Sequence, residues 1–272
     1  MTTVEALESG WQAGTPVEDS LLRRFLCNQA DMQDRVAQAV GGRTHRCADL
    51  ALTDAGVPSP YLNQATLMRP LTGDDDPALD EISAFYRDHS PGLLLSVWPT
   101  TDLSVRGWNL VGHPMFVAQG PQPNSSATDG ELGAGVSVRV AETAEDIALV
   151  ERIVIEGYPV PDLAGSAPHT AFGAALAGSE VVYRIGYLDG TPVAVAASHV
   201  GHGVVNLCLA ATLPEARRRG VWQALVDARR ADAPDLPAVA FTSDFSRPGF
   251  IRLGFLPITR FTLWVVPAWR SA

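Results

Sequence analysis

Three consecutive arginines followed by a glycine, Arg217-Arg218-Arg219-Gly220, constrain this chain more than any other feature. The apolar run Val204–Ala210 before them is typical of a buried strand. Four apolar residues after them, at positions i, i+3, i+4 and i+7, predict one face of a helix: Val221, Ala224, Leu225 and Ala228. The helix macrodipole is positive at this end, so each arginine there costs about 0.3–1 kcal/mol unless an anion binds.

The turn at Gly220 has the local properties of an anion site. A helix N-terminus offers free N–H groups, and a glycine lets the backbone approach a ligand closely. On local physics alone two interpretations stay open. The turn is either a phosphate cradle or a solvated basic turn that tolerates a small penalty.

Composition limits the classes of partner. The net charge of −10 argues against binding of nucleic acid over a broad surface, although a local arginine patch can still hold phosphate. The three cysteines, Cys27, Cys47 and Cys208, show no metal-site spacing and fit a reducing cytoplasm. We therefore expect a cytoplasmic protein with no bound metal, no secretion signal and no membrane-spanning segment.

A segment rich in Gly, Pro, Ser and Asn, residues 119–135, predicts a linker. It divides the chain into an N-terminal domain (1–122), a linker (123–135) and a C-terminal domain (136–272). In the second half the elements are expected in the order β-α-α-β-β-β-α-β-α-β, a mixed sheet with helices packed on it. Within that order we predict a helix over Pro168–Ala177 and one long strand over Leu256–Val266.

The first half has a similar but vaguer rhythm. Helices are predicted over Leu21–Val40 and Pro77–Asp88. Strands are predicted over three segments: Asn63–Pro70, Leu93–Trp98 and Trp108–Ala118. No glycine-and-arginine turn occurs in this half.

Three segments of the second half, taken in order, resemble motifs of the GCN5-related N-acetyltransferase superfamily. Arg217-x-x-Gly220-x-Trp222 is similar to the family's pyrophosphate loop, Gln/Arg-x-x-Gly-x-Gly/Ala. The lead-in Ala210-Ala211-Thr212-Leu213-Pro214-Glu215 places a proline two residues after a strand end. Phe250-Ile251-Arg252-Leu253-Gly254-Phe255 is similar to the closing Tyr-x-x-Leu-Gly-Phe. The resemblance covers Val136 to about Val266.

The first half looks like a worn copy of the same fold without the cofactor loop. Met68-Arg69-Pro70 before an acidic helix parallels Val138-Arg139-Val140. The alternative is an unrelated α/β extension. The resemblance thus implies an α/β (α+β) fold, with mixed, mostly antiparallel sheets flanked by helices, in two such domains side by side.

The resemblance also implies an activity, acyl transfer from acetyl-coenzyme A or another acyl-coenzyme A to the amine of a small molecule. Backbone and side chains of Arg217, Arg218, Arg219, Gly220, Val221 and Trp222 would then hold the pyrophosphate. The strand end Ala210, Ala211 and Thr212 would pair with pantetheine, and Ser243 would also lie at the donor site.

Two departures from the family pattern concern the chemistry. Trp222 stands where the family has glycine or alanine, so an indole lies near the diphosphate. Phe250 replaces the tyrosine that protonates the leaving thiolate, and a phenyl ring cannot donate a proton.

The general base is missing from its common place, because the strand Val204–Leu209 carries Asn206 and no carboxylate. Candidates elsewhere are Glu156, His199, His202 and Asp244. Each has an ordinary structural alternative as a surface, turn or capping residue. For the acceptor pocket we expect Tyr158 and Phe172, together with apolar and aromatic residues of the first half such as Trp98 and Trp108.

Two further functions remain open. The same fold can form amides from an aminoacyl-tRNA donor, although the −10 charge opposes tRNA binding. A ligand-binding module with a dead active site is the non-enzymatic alternative, and Phe250 favours it.

Overall fold

The structure of the chain, a computed structural model, describes residues 21–123, 130–131, 135–158 and 160–268. The five helices in these residues are α1 (Leu21–Ala39), α2 (Pro77–Tyr86), α3 (Ala144–Gly157), α4 (Val221–Arg230) and α5 (Arg247–Arg252). The fourteen strands are β1 (Arg43–Arg46), β2 (Leu50–Asp54), β3 (Gln64–Leu67), β4 (Gly92–Ser96), β5 (Asn109–Gly112), β6 (Met115–Gln119), β7 (Gly130–Glu131), β8 (Val136–Val140), β9 (Val181–Leu188), β10 (Thr191–Gly201), β11 (Val204–Thr212), β12 (Ala238–Thr242), β13 (Leu256–Arg260) and β14 (Thr262–Val266).

The strands form two sheets that exchange a strand. One sheet has the order β1-β2-β3-β4-β14-β5, and the other has the order β13-β6-β12-β11-β10-β9-β8-β7. The C-terminal strand β14 therefore lies in the first sheet, and β6 lies in the second. Most of the predicted linker falls outside the described residues, and the two sheets do not divide at it.

The exchange breaks two predicted strands. The runs Trp108–Ala118 and Leu256–Val266 are each split between the two sheets, so the prediction of one continuous strand is wrong in both cases. The breaks meet where Phe261 N–H donates to the Pro114 carbonyl at 2.9 Å. A proline cannot donate to a ladder, and it marks the end of pairing here. The Phe261 ring is fully buried and stacks on Phe25 of α1, at a centroid distance of 5.5 Å.

The two sheets repeat one topology. In each, three successive strands pair antiparallel, a helix crosses over, and the next strand lies parallel to the third: β1-β2-β3-α2-β4 in one and β9-β10-β11-α4-β12 in the other. Each sheet then adds the donated strand and an edge strand, antiparallel. The first half is thus a copy of the second, as the resemblance implied. The segment Met68–Pro70 follows β3, so its topological partner is the end of β11 and not β8.

Two arginine–aspartate clamps with identical spacing close the loops before α2 and α3. Arg69 donates to both Asp76 oxygens at 2.7 and 3.0 Å, and Arg139 donates to both Asp146 oxygens at 2.7 and 2.6 Å. Asp76 also accepts the Ala78 N–H at 3.0 Å and so caps α2. In the first clamp the Asp76 side chain is fully buried, whereas in the second clamp the Arg139 side chain is 48% exposed. The first clamp is therefore the less solvent-screened of the two.

We expect Asp76→Asn to destabilise the fold by about 1.5–3 kcal/mol at pH 7, because Arg69 loses its charge-assisted bonds to Asp76 and keeps only its 2.9 Å ion pair with Asp49. The Arg69 guanidinium holds the pKa of Asp76 well below its usual range. A carboxyl with a depressed folded-state pKa stabilises above the unfolded value of about 3.9, and this stability is lost as the pH falls further. The measurement is urea unfolding at pH 7 and pH 3.

The control is Asp80→Asn on the same helix, where the side chain is 76% exposed. We expect it to change stability little at either pH. Equal losses in the two variants at pH 7 would contradict the role of the clamp. A wild-type stability that does not fall between pH 7 and pH 3 would contradict the sign of the pKa shift.

The segment predicted as a helix over Pro168–Ala177 is irregular, with only a 3₁₀ turn at Ala174–Leu176. The buried Glu151 carboxylate accepts the N–H groups of His169, Ala171 and Phe172 at 2.5, 2.6 and 3.3 Å. Because these N–H groups donate to Glu151, they cannot form the backbone hydrogen bonds of a helix. The carboxylate on α3 therefore fixes the backbone conformation of this loop. None of the described helices has the length and apolar character needed to cross a lipid bilayer.

Candidate active site

The strand β11 carries a bulge in the middle of the second sheet. Its pairing with β10 shifts between Ala197↔Cys208 and Val195↔Ala211, and Leu209 in the extra stretch has a φ of 47°. On its other side, β11 pairs with β12 only at Val205 and Asn206. The two parallel strands therefore diverge beyond Asn206, and no described strand pairs with this side of β11 from there to its end. The result is a V-shaped opening lined by backbone polar groups.

Two cavities meet in this opening. The outer cavity, about 730 Å³, contains the arginine turn, and the inner cavity, about 410 Å³, extends between the two sheets. Five residues line both: Ala210, Ala211, Trp222, Ser243 and Ser246. A long, narrow ligand can therefore occupy both cavities at once along the free edge of β11.

The arginine turn forms the floor of the outer cavity. Arg217 donates to the Thr212 and Gly157 carbonyls at 3.2 and 3.0 Å, so its side chain ties the turn to β11 and to the end of α3. Arg218 and Arg219 are exposed, and Arg219 lies 3.7 Å from Asp189. Gly220 has a φ of 86°, which a side chain would strain.

The N-terminus of α4 has no internal cap. Gly220 occupies the N-cap position and makes no side-chain bond. Among the described residues, no acceptor is found for the backbone N–H groups of residues 218–223. Such groups, at the positive end of a helix and beside two exposed guanidinium groups, suit a diphosphate.

The corresponding helix in the first half is closed. There Asp76 places a carboxylate at the N-terminus of α2 and accepts the Ala78 and Thr72 N–H groups at 3.0 and 2.8 Å. A built-in anion occupies the position that stays open at α4. Of the two helices, α4 therefore has the features of an anion site, whereas the N-terminus of α2 is already occupied by the Asp76 carboxylate.

The Trp222 indole packs against α5. Its ring meets Phe250 edge to face with centroids 5.0 Å apart. A Cβ atom on Gly249 would come within 2.8 Å of the indole, so only glycine leaves room for it there. Phe250 is buried between Trp222 and Phe255, and it lines the inner cavity. The indole thus forms part of the wall between the cavities without filling the outer one.

The structure brings some predicted site residues to the cavities and places others elsewhere. Ser243, Asp244 and Tyr158 line the inner cavity with Ala210 and Ala211. Thr212 lines the outer cavity together with the arginine turn. Five candidates line neither cavity. The side chain of Val221 is buried in the hydrophobic core beneath α4, and the other four are Glu156, Phe172, His199 and His202.

Each of those four has another partner. Glu156 is exposed and pairs with Arg152 at 3.3 Å, and His202 lies 2.7 Å from Asp31. Phe172 is buried against Tyr183. His199 is buried beside Asn28 of α1, with Nδ1 3.2 Å from the Asn28 Oδ1 atom, and burial lowers the pKa of its imidazole. Glu156 and His202 are thus surface residues, as their ordinary structural alternatives predicted, whereas His199 is buried within β10 and does not lie in a surface turn.

The first half supplies residues to the inner cavity that sequence reasoning did not single out. They are Gln29 and Gln33 of α1, Tyr61 and Gln64 before and in β3, and His113 between β5 and β6. Trp98 and Trp108, which we expected here, are instead buried in the core of the first sheet. For Gln29 and Gln33, the sequence signal was the presence of two glutamines at i and i+4 on the buried face of α1. No sequence signal pointed to His113, because only the strand exchange brings it to the site.

The charged side chains at the mouth of the inner cavity form ion pairs with one another. Asp244 is 71% exposed and lies 3.3 Å from Arg247 and 3.6 Å from Arg260. Arg260 also donates to the His113 carbonyl at 2.6 Å. The inner wall is uncharged by contrast, and burial raises the pKa of the Cys208 thiol to about 12. Cys208 is therefore a neutral thiol at physiological pH.

Comparisons with solved structures give the fold. A GCN5-related N-acetyltransferase from Kribbella flavida is 19% identical, with 92% of this chain and 96% of that chain covered and a TM-score of 0.61. A tandem GNAT protein from the clavulanic acid biosynthesis pathway is 13% identical, with 96% and 98% covered and a TM-score of 0.50.

A third structure, a GCN5-related N-acetyltransferase-like protein from Streptococcus suis, is 13% identical, with 86% of this chain and 98% of that chain covered and a TM-score of 0.50. No family model matches the chain, and no curated protein matches it by sequence. The similarity in structure, together with the repeated sheets, shows that the chain has the fold of the GCN5-related N-acetyltransferases, built as two copies that exchange a strand.

Proposed function

We propose that the protein is an acyl-coenzyme A-dependent N-acyltransferase, with acetyl-coenzyme A as the first donor to test and a small amine as acceptor. One observation carries this proposal. The uncapped N-terminus of α4, with Arg218 and Arg219, opens into a cavity that continues along the free edge of β11 to the bulge. The residues present fit a donor with a diphosphate, a long amide-bearing arm and a reactive end.

The donor would bind in three parts. The diphosphate lies on the N–H groups of residues 218–223, with the arginine side chains adding charge-assisted bonds. The pantetheine arm pairs with the unpaired edge of β11 as an added strand. The thioester then lies near the bulge at Leu209, where the backbone turns away from the ladder.

At the bulge, the amine nitrogen of the acceptor attacks the thioester carbonyl carbon. Backbone N–H groups of β11 stabilise the resulting oxyanion, and one such donor typically contributes about 2.7–4 kcal/mol. The C–S bond then breaks, the amide forms, and the thiolate leaves and takes up a proton. The proton that the amine loses passes to a base.

Two groups at the cavity mouth can accept that proton, Asp244 and His113. Asp244 was a candidate from the sequence, and His113 joins it through the strand exchange. Imidazole is the side chain that enzymes use most often as a general base. His199 and Glu156 stay as sequence-based candidates with no contact to either cavity.

The two alternatives make different predictions. An aminoacyl-tRNA donor needs a broad basic surface, and the chain carries a net charge of −10. A non-catalytic module would bind the donor and transfer nothing, and Phe250 in place of a proton donor is the observation that favours it.

The test is calorimetry of the wild-type protein with coenzyme A, followed by an assay for free thiol with acetyl-coenzyme A and a panel of amines. We expect saturable binding in the micromolar range and amine-dependent thiol release. Binding without thiol release for any amine would support the non-catalytic module. Binding of tRNA that weakens with salt, without binding of coenzyme A, would support the tRNA donor.

A further inference from the structure

Three glutamines form the inner end of the cavity between the sheets. Gln29 and Gln33 project from α1, and Gln64 projects from β3, all from the first half of the chain. Their residues are 1%, 8% and 3% exposed. Buried amides of this kind are costly unless they are hydrogen-bonded, so their partners define what the cavity can accept.

The glutamines belong to one directional chain of hydrogen bonds. The Asn206 amide of β11 donates to Gln29 Oε1 at 2.9 Å, and Gln29 donates in turn to Gln64 Oε1 at 3.0 Å. Gln33 also donates to Gln64 Oε1, at 3.1 Å, and Gln64 donates to Thr66 Oγ1 at 2.7 Å. Each amide nitrogen in this chain points at an oxygen, so the carbonyl ends have fixed directions.

This arrangement leaves the Gln33 carbonyl oxygen open. No described residue donates a hydrogen bond to Gln33 Oε1, and Gln33 lines the cavity. The buried Asn206 Oδ1 atom also has no described partner, but Asn206 does not line the cavity. The inner end of the cavity therefore presents one open hydrogen-bond acceptor, Gln33 Oε1, to a ligand.

The same wall holds no cationic group. The lining residues include no arginine, and the chain has no lysine. The titratable side chains that line the cavity are Asp244, His113, Tyr61, Tyr158 and Cys208. A carboxylate or phosphate bound at the glutamines would be buried without a counter-charge, which is strongly unfavourable. A neutral amide or hydroxyl group carries the donor that Gln33 lacks and brings no charge.

We propose that the acceptor is a primary amine carrying a neutral hydrogen-bond donor, a carboxamide or a hydroxyl, which binds Gln33 Oε1, and that Gln33 sets this specificity. The assignment rests on the proposed acyltransferase activity. It excludes free amino acids and phosphorylated amines as good acceptors. It also gives the first half of the chain a role, because that half supplies the acceptor site while the second half holds the donor.

The test uses three amines that share the isobutyl side chain, leucinamide, leucine and isoamylamine, each compared at equal concentration of the unprotonated amine. With acetyl-coenzyme A we expect the wild-type kcat/KM for leucinamide to exceed that for each of the others by about tenfold or more. Gln33→Leu should lower the value for leucinamide about tenfold, mainly through KM. It should leave isoamylamine unchanged or improved, because that amine has no donor for the lost carbonyl.

Gln38→Leu is the matched control, since Gln38 lies on the exposed face of the same helix. Gln33→Met keeps the length of the side chain and serves if the leucine variant is unstable. Leucine used as well as leucinamide, or an unchanged amine preference in the folded Gln33 variants, would overturn the assignment. No turnover of leucinamide by a protein that still binds coenzyme A would also overturn it. If the wild-type protein does not bind coenzyme A, the acyltransferase proposal itself fails.

Discussion

Replacing Arg218 and Arg219 together by alanine is expected to weaken coenzyme A binding by about 10²-fold, while the unliganded protein becomes slightly more stable. Each charge-assisted hydrogen bond to a phosphate is worth about 1.5–3 kcal/mol, reduced here because both side chains are exposed. Without a ligand, the same charges oppose the macrodipole of α4, at a cost of about 0.3–1 kcal/mol each. Calorimetry gives the affinity and thermal unfolding gives the stability.

The opposite signs of the two effects make this test specific. Arg87→Ala with Arg152→Ala removes the same number of charges from exposed positions outside both cavities. We expect this control to retain coenzyme A affinity within about threefold, because physiological salt screens the electrostatic interaction of the ligand with distant charges. Equal losses of affinity in the two double variants would mean that net charge, and not the turn at Gly220, holds the donor.

Restoring a phenol at position 250 is expected to raise kcat. General acids typically contribute 10²–10⁴-fold, and we expect Phe250→Tyr to recover at least about tenfold of that. The ring already lines the inner cavity beside Trp222, so the added hydroxyl would lie close to the proposed path of the leaving sulfur. Initial rates of thiol release across pH 6–9 measure the effect, which should be largest where the phenol is fully protonated.

Phe255→Tyr is the matched control, because this ring packs against Phe250 and is buried, but it does not line the cavity. It should lower stability without raising kcat, since a buried hydroxyl without a partner is destabilising. An unchanged kcat in a stable Phe250→Tyr protein would mean that the thiolate is protonated by another group. Tyr158 then becomes the candidate, because it lines the cavity and desolvation raises the pKa of its phenol, which keeps the proton in place.

Much of the second copy could be predicted from local patterns. The strand before the arginine turn, the helix after it and the glycine between them follow from residue type and spacing, because the relevant interactions lie within a few residues. Thr143 and Asp146, three residues apart at the start of α3, form a capping box with both of its reciprocal bonds, another feature that depends only on local spacing. Local physics was less useful over 168–177, where a distant carboxylate, Glu151, takes the backbone amides.

The sequence by itself determined the fold family of the second half and the position of the candidate anion site, since both depend on short-range chemistry. Only the tertiary structure decided where β6 and β14 pair, that His113 reaches the inner cavity, and that Gln29, Gln33 and Gln64 form one hydrogen-bonded chain. The reason is physical. The strand exchange depends on pairing between strands that are 100 or more residues apart in the chain. Whether a buried amide oxygen has a hydrogen-bond donor depends on all the residues that pack around it.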